Sequence, residues 1–333
     1  MHILRYFILA IALILWAGGL FSTVSHWLYE AGVIAEDYRY GDLYRLWPLP
    51  KFKETHYRCP SANRSSDTSS THLYIIGDSF SDPKQLSESD FGVSHYQRVA
   101  WEFQQRAQLD TSKRNVLFIE TVERHFRDHF AVSVNQLIVQ NDTSQTASLK
   151  PTLKQRIRNE LNLKNVNERL ESELFGQDWA LWFKEVKAEL TLKWFDRDNG
   201  AVTLAKNQQH IFLNLDTDTT NRLNSSFAPL TDKEVNTLVD SVNATADRYL
   251  RLGFDEVYLS IVPNKATILE PSRGVYNHLI ERVQANPRLK VPFIDTYSRF
   301  KKAPSSPYWK SDTHWNCDGR SIWLQAVYQK VKI

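Results

Sequence analysis

His72-Leu73-Tyr74-Ile75-Ile76-Gly77-Asp78-Ser79-Phe80 joins a short apolar run to a Gly-Asp-Ser turn. A run of this kind, bounded by a glycine, reads as a strand buried on both faces, as in parallel sheets covered by helices. Open α/β sheets bind ligands at the carboxyl ends of their strands, and that is where Ser79 stands. The turn is not the Gly-x-Ser-x-Gly elbow, because Gly77 precedes Ser79 by two residues but Ser81 follows it by two. A strand-to-loop turn of another kind exposes this serine.

Working outward, Asn115-Val116-Leu117-Phe118-Ile119 repeats the strand signal, as do residues 256–262 and 291–294. Between the first two strands, Tyr96, Val99, Ala100, Phe103 and Ala107 recur at helical spacing, and a short helix is expected after the second strand, through Phe130. Thr231-Asp232-Lys233-Glu234 reads as a capping box opening a helix with Val235, Leu238, Val239, Val242, Ala246 and Tyr249 inward, which Gly253 ends. Pro271 is read as the start of another helix, and 319–330 as the last one, with Ile322, Trp323, Ala326 and Val327 inward. The alternation predicts an α/β fold: a doubly wound parallel sheet flanked by helices.

Residues about 135–225 break that alternation. A polar stretch at 141–151 precedes Trp179, Trp182, Phe183, Val186, Leu190 and Trp194, which share one face of an amphipathic helix. The expectation is a helical insertion whose stripe packs on the core; stacking on sugar rings, or lying against a membrane interface or a partner, are the alternatives.

The amino terminus differs in kind. Residues 6–21 carry no charge, follow Arg5 and, extended to Ser25, reach the length needed to span a bilayer. Glu30, Glu36 and Asp37 lie on the far side, so the positive-inside rule sends the rest of the chain out of the cytoplasm. An uncleaved anchor is preferred to a cleaved signal peptide, since the run is long for such a peptide and no clear Ala-x-Ala follows. Segments 1–29 (signal-anchor), 30–71 (linker) and 72–333 (catalytic domain with the insertion) result. A chain of 333 residues, 42% hydrophobic and 24% charged, can bury one large core beside such appendages. A net charge of +3, without a basic stripe interleaved with aromatics, gives no argument for nucleic acid, and none is expected as a partner.

Near the carboxyl end stands Ser311-Asp312-Thr313-His314-Trp315-Asn316. A serine hydroxyl needs an imidazole within reach to take its proton, and the imidazole needs a carboxylate to fix its tautomer. Asp312 and His314, two apart, can project to one side of an extended stretch, which makes Ser79, His314 and Asp312 a candidate triad for acyl transfer. His125 and His129 are four apart, but Phe126-Arg127-Asp128 lacks the Glu of the His-Glu-x-x-His motif, so packed or surface histidines are expected and no metal. Cys59 and Cys317 are the two cysteines; in an oxidising compartment they either bond, bracing the segment after His314, or remain separate buried thiols.

Residues 73–80 resemble the first block of the SGNH (GDSL-like) hydrolase superfamily. Lys310 to Gly319, with Asp-Thr-His-Trp-Asn, is similar to the last block of its periplasmic alginate and exopolysaccharide O-acetyltransferase branch, although in that branch the Asp-x-His block precedes the serine. Glu120-Thr121-Val122-Glu123-Arg124, Ile261-Val262-Pro263-Asn264-Lys265 and Val291-Pro292-Phe293-Ile294-Asp295 resemble intermediate segments. The resemblance implies an SGNH-like fold with Ser79 as acyl-carrying nucleophile, His314 as base and Asp312 as its partner. No separate Gly-x-Asn-Asp block occurs, so the oxyanion and substrate candidates are the backbone N–H of Ser79 with Asp78, Arg124, Asn264, Lys265, Trp315 and Asn316.

It further implies a membrane-anchored enzyme of the inner membrane, its body in the periplasm. That enzyme needs no cofactor, accepts acetyl from a multi-span membrane acyltransferase and passes it to a polysaccharide hydroxyl. A carbohydrate acetylesterase using the same triad, and a non-catalytic scaffold of a polysaccharide-modification complex, are the alternatives.

Overall fold

The computed structural model describes residues 2–21, 24, 27–28, 31, 33, 41–43, 46–64, 70–140, 170, 178–195, 201–220 and 224–333. The chain forms two compact units, one of residues 1–57 with 147–199 and the other of residues 58–146 with 200–333. The expected linker is therefore divided, residues 41–57 belonging with the first unit and 58–64 with the second. The expected insertion is divided likewise, since residues 200–225 return to the second unit. The polar stretch 141–151, the acidic residues Glu30, Glu36 and Asp37, and the side chain of Trp179 lie outside what is described.

The second unit is an α/β body. In chain order it contains strands β1 (Thr71–Gly77), β2 (His95–Ala100), β3 (Gln105–Gln108), β4 (Arg114–Val122), β5 (Leu137–Gln140), β6 (Val202–Leu204), β7 (Ile211–Leu213), β8 (Glu256–Val262) and β9 (Phe293–Ile294). Five of them form one sheet in the order β2-β1-β4-β8-β9, every neighbouring pair parallel. β1 lies inside this sheet, with Ile76 opposite Val99 on one side and Ile119 on the other. Leu73, Tyr74, Ile75 and Ile76 are fully buried, which is why the run reads as apolar without alternation.

Successive side chains feed opposite faces. The first unit of the chain contributes α1 (His2–Leu20) and α3 (Asp178–Phe195). The body contributes α2 (Glu123–His129), α4 (Asn214–Thr217), α5 (Asp232–Arg251), α6 (Lys265–Leu269), α7 (Leu279–Gln284), α8 (Tyr297–Lys301) and α9 (Cys317–Val331). Tyr74, Ile76, Leu117, Ile119 and Leu259 join one core with Val239, Val242 and Tyr249 of α5. Leu73, Ile75, Val116 and Phe118 join the other with Trp323 and Val327 of α9. The Thr231 hydroxyl caps α5 by accepting from the Glu234 N–H, and Gly253 follows its end with φ of 108°, a left-handed conformation suited to glycine.

The helix expected over 96–107 is not formed. Tyr96, Val99 and Ala100 lie in β2, at the edge of the sheet, and Ala107 lies in β3, which pairs with β5 in a separate two-stranded sheet. Of the β2 side chains only Val99 is fully buried, and this one-sided burial gave a spacing that mimics a helical face. Pro271 opens a single 3-10 turn rather than a helix, and α7 begins only at Leu279. In α9, Trp323, Ala326 and Val327 are buried as expected whereas Ile322 is half-buried.

In the first unit α1 is one helix long and apolar enough to cross a membrane. α3 turns outward what was expected to pack inward: Trp182, Phe183, Leu190 and Trp194 are exposed, and Leu181, beside Trp47, is among its buried side chains.

Candidate active site

Parallel strands deliver their carboxyl ends to one edge of the sheet. There β1 leads into Asp78-Ser79, β4 into Glu123-Arg124-His125, and β8 into Asn264-Lys265. Ser79 is the first residue of a 3-10 turn, Ser79–Ser81. Its Oγ lies 2.7 Å from Nε2 of His314, whose Nδ1 lies 2.6 Å from Oδ1 of Asp312. The same Asp312 oxygen accepts the His314 backbone N–H at 2.7 Å, so one carboxylate fixes both the ring and its main chain. Nδ1–H pointing at Asp312 leaves Nε2 as the acceptor facing the serine.

A short hairpin holds the Asp312–His314 segment. Tyr308 and Trp315 form an antiparallel bridge, the Asn316 N–H donates to the Pro307 carbonyl, and the Tyr308 hydroxyl donates to the Pro263 carbonyl at 2.5 Å. Gly319 permits the close approach of α9, because a Cβ there would lie 2.8 Å from Cβ of Trp315 and collide with the Pro307 carbonyl. Cys59 and Cys317 are disulfide-bonded, with Cα atoms 5.3 Å apart, tying the segment before β1 to the first residue of α9.

The turn under Ser79 is held from three directions. Asp78 Oδ2 accepts the Val122 N–H at 2.7 Å and the Thr121 hydroxyl at 3.1 Å, while Oδ1 lies 3.0 Å from Nδ1 of His125. Burial pushes the Asp78 carboxyl up, but the hydrogen bond and charge of His125, with His129 and the Val122 N–H, outweigh it and hold the group below its ordinary range. Arg98 donates to the carbonyls of Gly77 and Asp78 at 3.0 and 2.7 Å and pairs with Asp82 at 2.7 Å. Beneath the turn, Glu120 is fully buried. A Cβ on Gly77 would lie 2.8 Å from Glu120 Oε2 and collide with the Ser81 hydroxyl, so a side chain here would force both to shift. Burial, then the charge of Asp78, raises Glu120 to about 8.

The six oxyanion and substrate candidates have other work in this structure. Asp78 faces the β4–α2 junction, as described. Asn264 is fully buried, its Oδ1 accepting from the Arg124 N–H at 3.2 Å and its Nδ2 donating to Ser226 Oγ at 2.8 Å. Arg124 is buried and pairs with Asp216 at 3.7 Å. Lys265 is buried and donates to the carbonyls of Ile211, Lys310 and Asp312 at 2.9, 2.8 and 3.1 Å. Trp315 is fully buried against Phe80 and Trp323. Asn316 caps α9 by accepting from the Gly319 N–H at 3.0 Å. What remains is the backbone N–H of Ser79, which at the first position of a 3-10 turn has no acceptor within that turn.

Asp78, His125 and His129 bring ligand-type atoms within 4.8 Å of one another. Protein partners already engage them: His129 Nδ1 lies 2.8 Å from the Thr121 hydroxyl and its ring stacks on Trp101 at 3.9 Å. Burial lowers the His129 pKa. Sequence reasoning missed Arg98 and Glu120. Arg98 lies in a strand whose spacing resembles a helix, and Glu120, part of a segment read only for its family resemblance, lies inside β4, beyond the apolar run that marks that strand.

Comparison with protein-family models, with curated proteins and with solved structures finds no match for this chain.

Proposed function

We propose that this chain is an exported, membrane-anchored, SGNH-like O-acetyltransferase that carries acetyl on Ser79 and passes it to a polysaccharide hydroxyl. The observation that carries the reading is the hydrogen-bonded line Ser79–His314–Asp312, at 2.7 and 2.6 Å, at the carboxyl end of a central parallel strand. Ser79 Oγ attacks the carbonyl carbon of a donor acetyl ester while His314 Nε2 takes the hydroxyl proton. The oxyanion faces the Ser79 N–H. Collapse expels the donor alcohol, which takes the proton from His314, and leaves acetyl-Ser79. A sugar hydroxyl then gives its proton to His314 and attacks, releasing the acetylated sugar and restoring Ser79.

Arg5, near the start of α1 and ahead of its uncharged residues 6–20, and the Cys59–Cys317 bond favour a body outside the cytoplasm, since such bonds persist in oxidising compartments. We place it in the periplasm, anchored in the inner membrane. Acetyl-CoA is not expected there, so the donor is a multi-span membrane acyltransferase that brings acetyl across; a single helix cannot transport it.

The test is turnover of p-nitrophenyl acetate by the full chain with an acidic exopolysaccharide oligomer present. Acetyl found on the oligomer, and absent with Ser79→Ala, supports transfer. Acetate release that the oligomer leaves unchanged makes the enzyme an esterase, and equal behaviour of Ser79→Ala removes the triad and leaves a scaffold.

A further inference from the structure

We propose that α3 lies on the membrane surface, its aromatic stripe sunk into the headgroup region of the bilayer that α1 crosses; this rests on the reading of α1 as a membrane span. A helix on the surface of a protein in water turns its large apolar side chains inward. α3 buries Leu181 but turns most of its large apolar side chains the other way. Ala180, Leu181 and Ala188 are buried, whereas Trp182, Phe183, Leu190 and Trp194 are 61, 61, 42 and 76% exposed. With about 3.6 residues per turn, those four fall within an arc of about 120°. A lone exposed apolar side chain needs no explanation, but a stripe containing two tryptophans marks a surface made to be covered.

Three observations point to lipid as what covers it. First, α3 belongs to the same compact unit as α1. Second, Leu170, which precedes α3 in the chain, packs on Gly19 at the carboxyl end of α1 so closely that a Cβ on Gly19 would collide with it. The approach to α3 is thus tied to the level at which α1 leaves the apolar layer: its 19 residues rise about 28 Å, close to the hydrocarbon thickness.

Third, the chemistry is that of an interface. Tryptophan sits at headgroup level, apolar ring inward and N–H toward water. Trp16 and Trp27, on either side of the end of α1, are themselves 56 and 57% exposed. Lys187, exposed beside Trp194 on the helix, places a cation where anionic headgroups lie, while Lys193 within the stripe pairs with Glu189 at 3.5 Å.

The experiment uses the full chain, whose cysteines are both in the disulfide and so cannot be labelled. Nitroxide labels are placed singly through Phe183→Cys, Trp194→Cys, Ile8→Cys in α1, and Val132→Cys, a position 66% exposed on the body. In vesicles of phosphatidylethanolamine with phosphatidylglycerol, collision with lipid-soluble oxygen is compared with collision with a water-soluble nickel complex. Labels at 183 and 194 are expected to follow the label at 8, meeting oxygen several-fold more than nickel, with the reverse at 132. If 183 and 194 follow 132 while 8 remains in lipid, the surface helix is rejected and the anchor stands. If 8 also meets nickel, the anchor reading fails and takes the proposal with it. Labels at 183 and 194 shielded from both reagents mean that protein covers the stripe, which equally rejects lipid.

Discussion

Glu120 is a carboxyl group sealed beneath the turn that presents Ser79, and its protonation links that turn to pH. Its pKa rises to about 8 in the fold through burial and then the charge of Asp78, and Glu123 rises to about 7, chiefly through burial. Between an unfolded carboxyl pKa near about 4.3 and these values, the folded chain holds more protons than the unfolded one, so stability falls as pH rises across that window. Glu120→Gln keeps the shape of the protonated acid and cannot ionise. Its melting temperature is expected to decline less than that of wild type between pH 5 and 8, measured by calorimetry; parallel declines would show that Glu120 is not the titrating group. At the other end of the site, Asp312→Asn removes the charge that holds Nδ1–H. Loss of kcat on the order of 10³–10⁴-fold on p-nitrophenyl acetate is expected, with the fold intact by circular dichroism. A loss below tenfold would deny Asp312 its role.

The elements divide by how their sequence encodes them. β1, β4 and β8 were legible because parallel strands covered on both faces are continuous apolar runs, and α5 because its cap and apolar spacing agree. The edge strand β2 was not, since with only Val99 fully buried its pattern matched a helix, and that misreading concealed Arg98. The same limit governs the polar residues of the site. Ser79, Asp312 and His314 were legible because their chemistry requires one another, whereas Lys265 and Asn264 find partners far away in sequence, at Ile211, Lys310 and Ser226. Lys265, at the first position of α6, braces the Asp312 carbonyl at 3.1 Å and thereby sets where the carboxylate stands. Lys265→Met keeps the aliphatic stem without the donors. A fall in kcat of about 10- to 100-fold with little change in KM is expected from a displaced triad; a change confined to KM would instead make Lys265 a substrate-binding group.

At the scale of the whole molecule, the body depends on a closure between its two ends of sequence. Cys59 and Cys317 are separated by 258 positions, and the bond joins the entry to β1 with the start of α9, the helix that follows His314. Loss of a native bond of this kind costs about 2–5 kcal/mol. The double variant Cys59→Ser, Cys317→Ser is expected to unfold at correspondingly lower urea, and an unchanged midpoint would make the bond dispensable. Acyl transfer by this body would run through one serine. The decisive measurement is peptide mass spectrometry of the full chain quenched in acid within seconds of mixing with p-nitrophenyl acetate, in wild type and in His314→Ala. One acetyl group on the peptide containing Ser79, localised to that residue and missing from His314→Ala, is what the triad predicts. Acetyl spread over surface lysines alone, the same in both proteins, would contradict it.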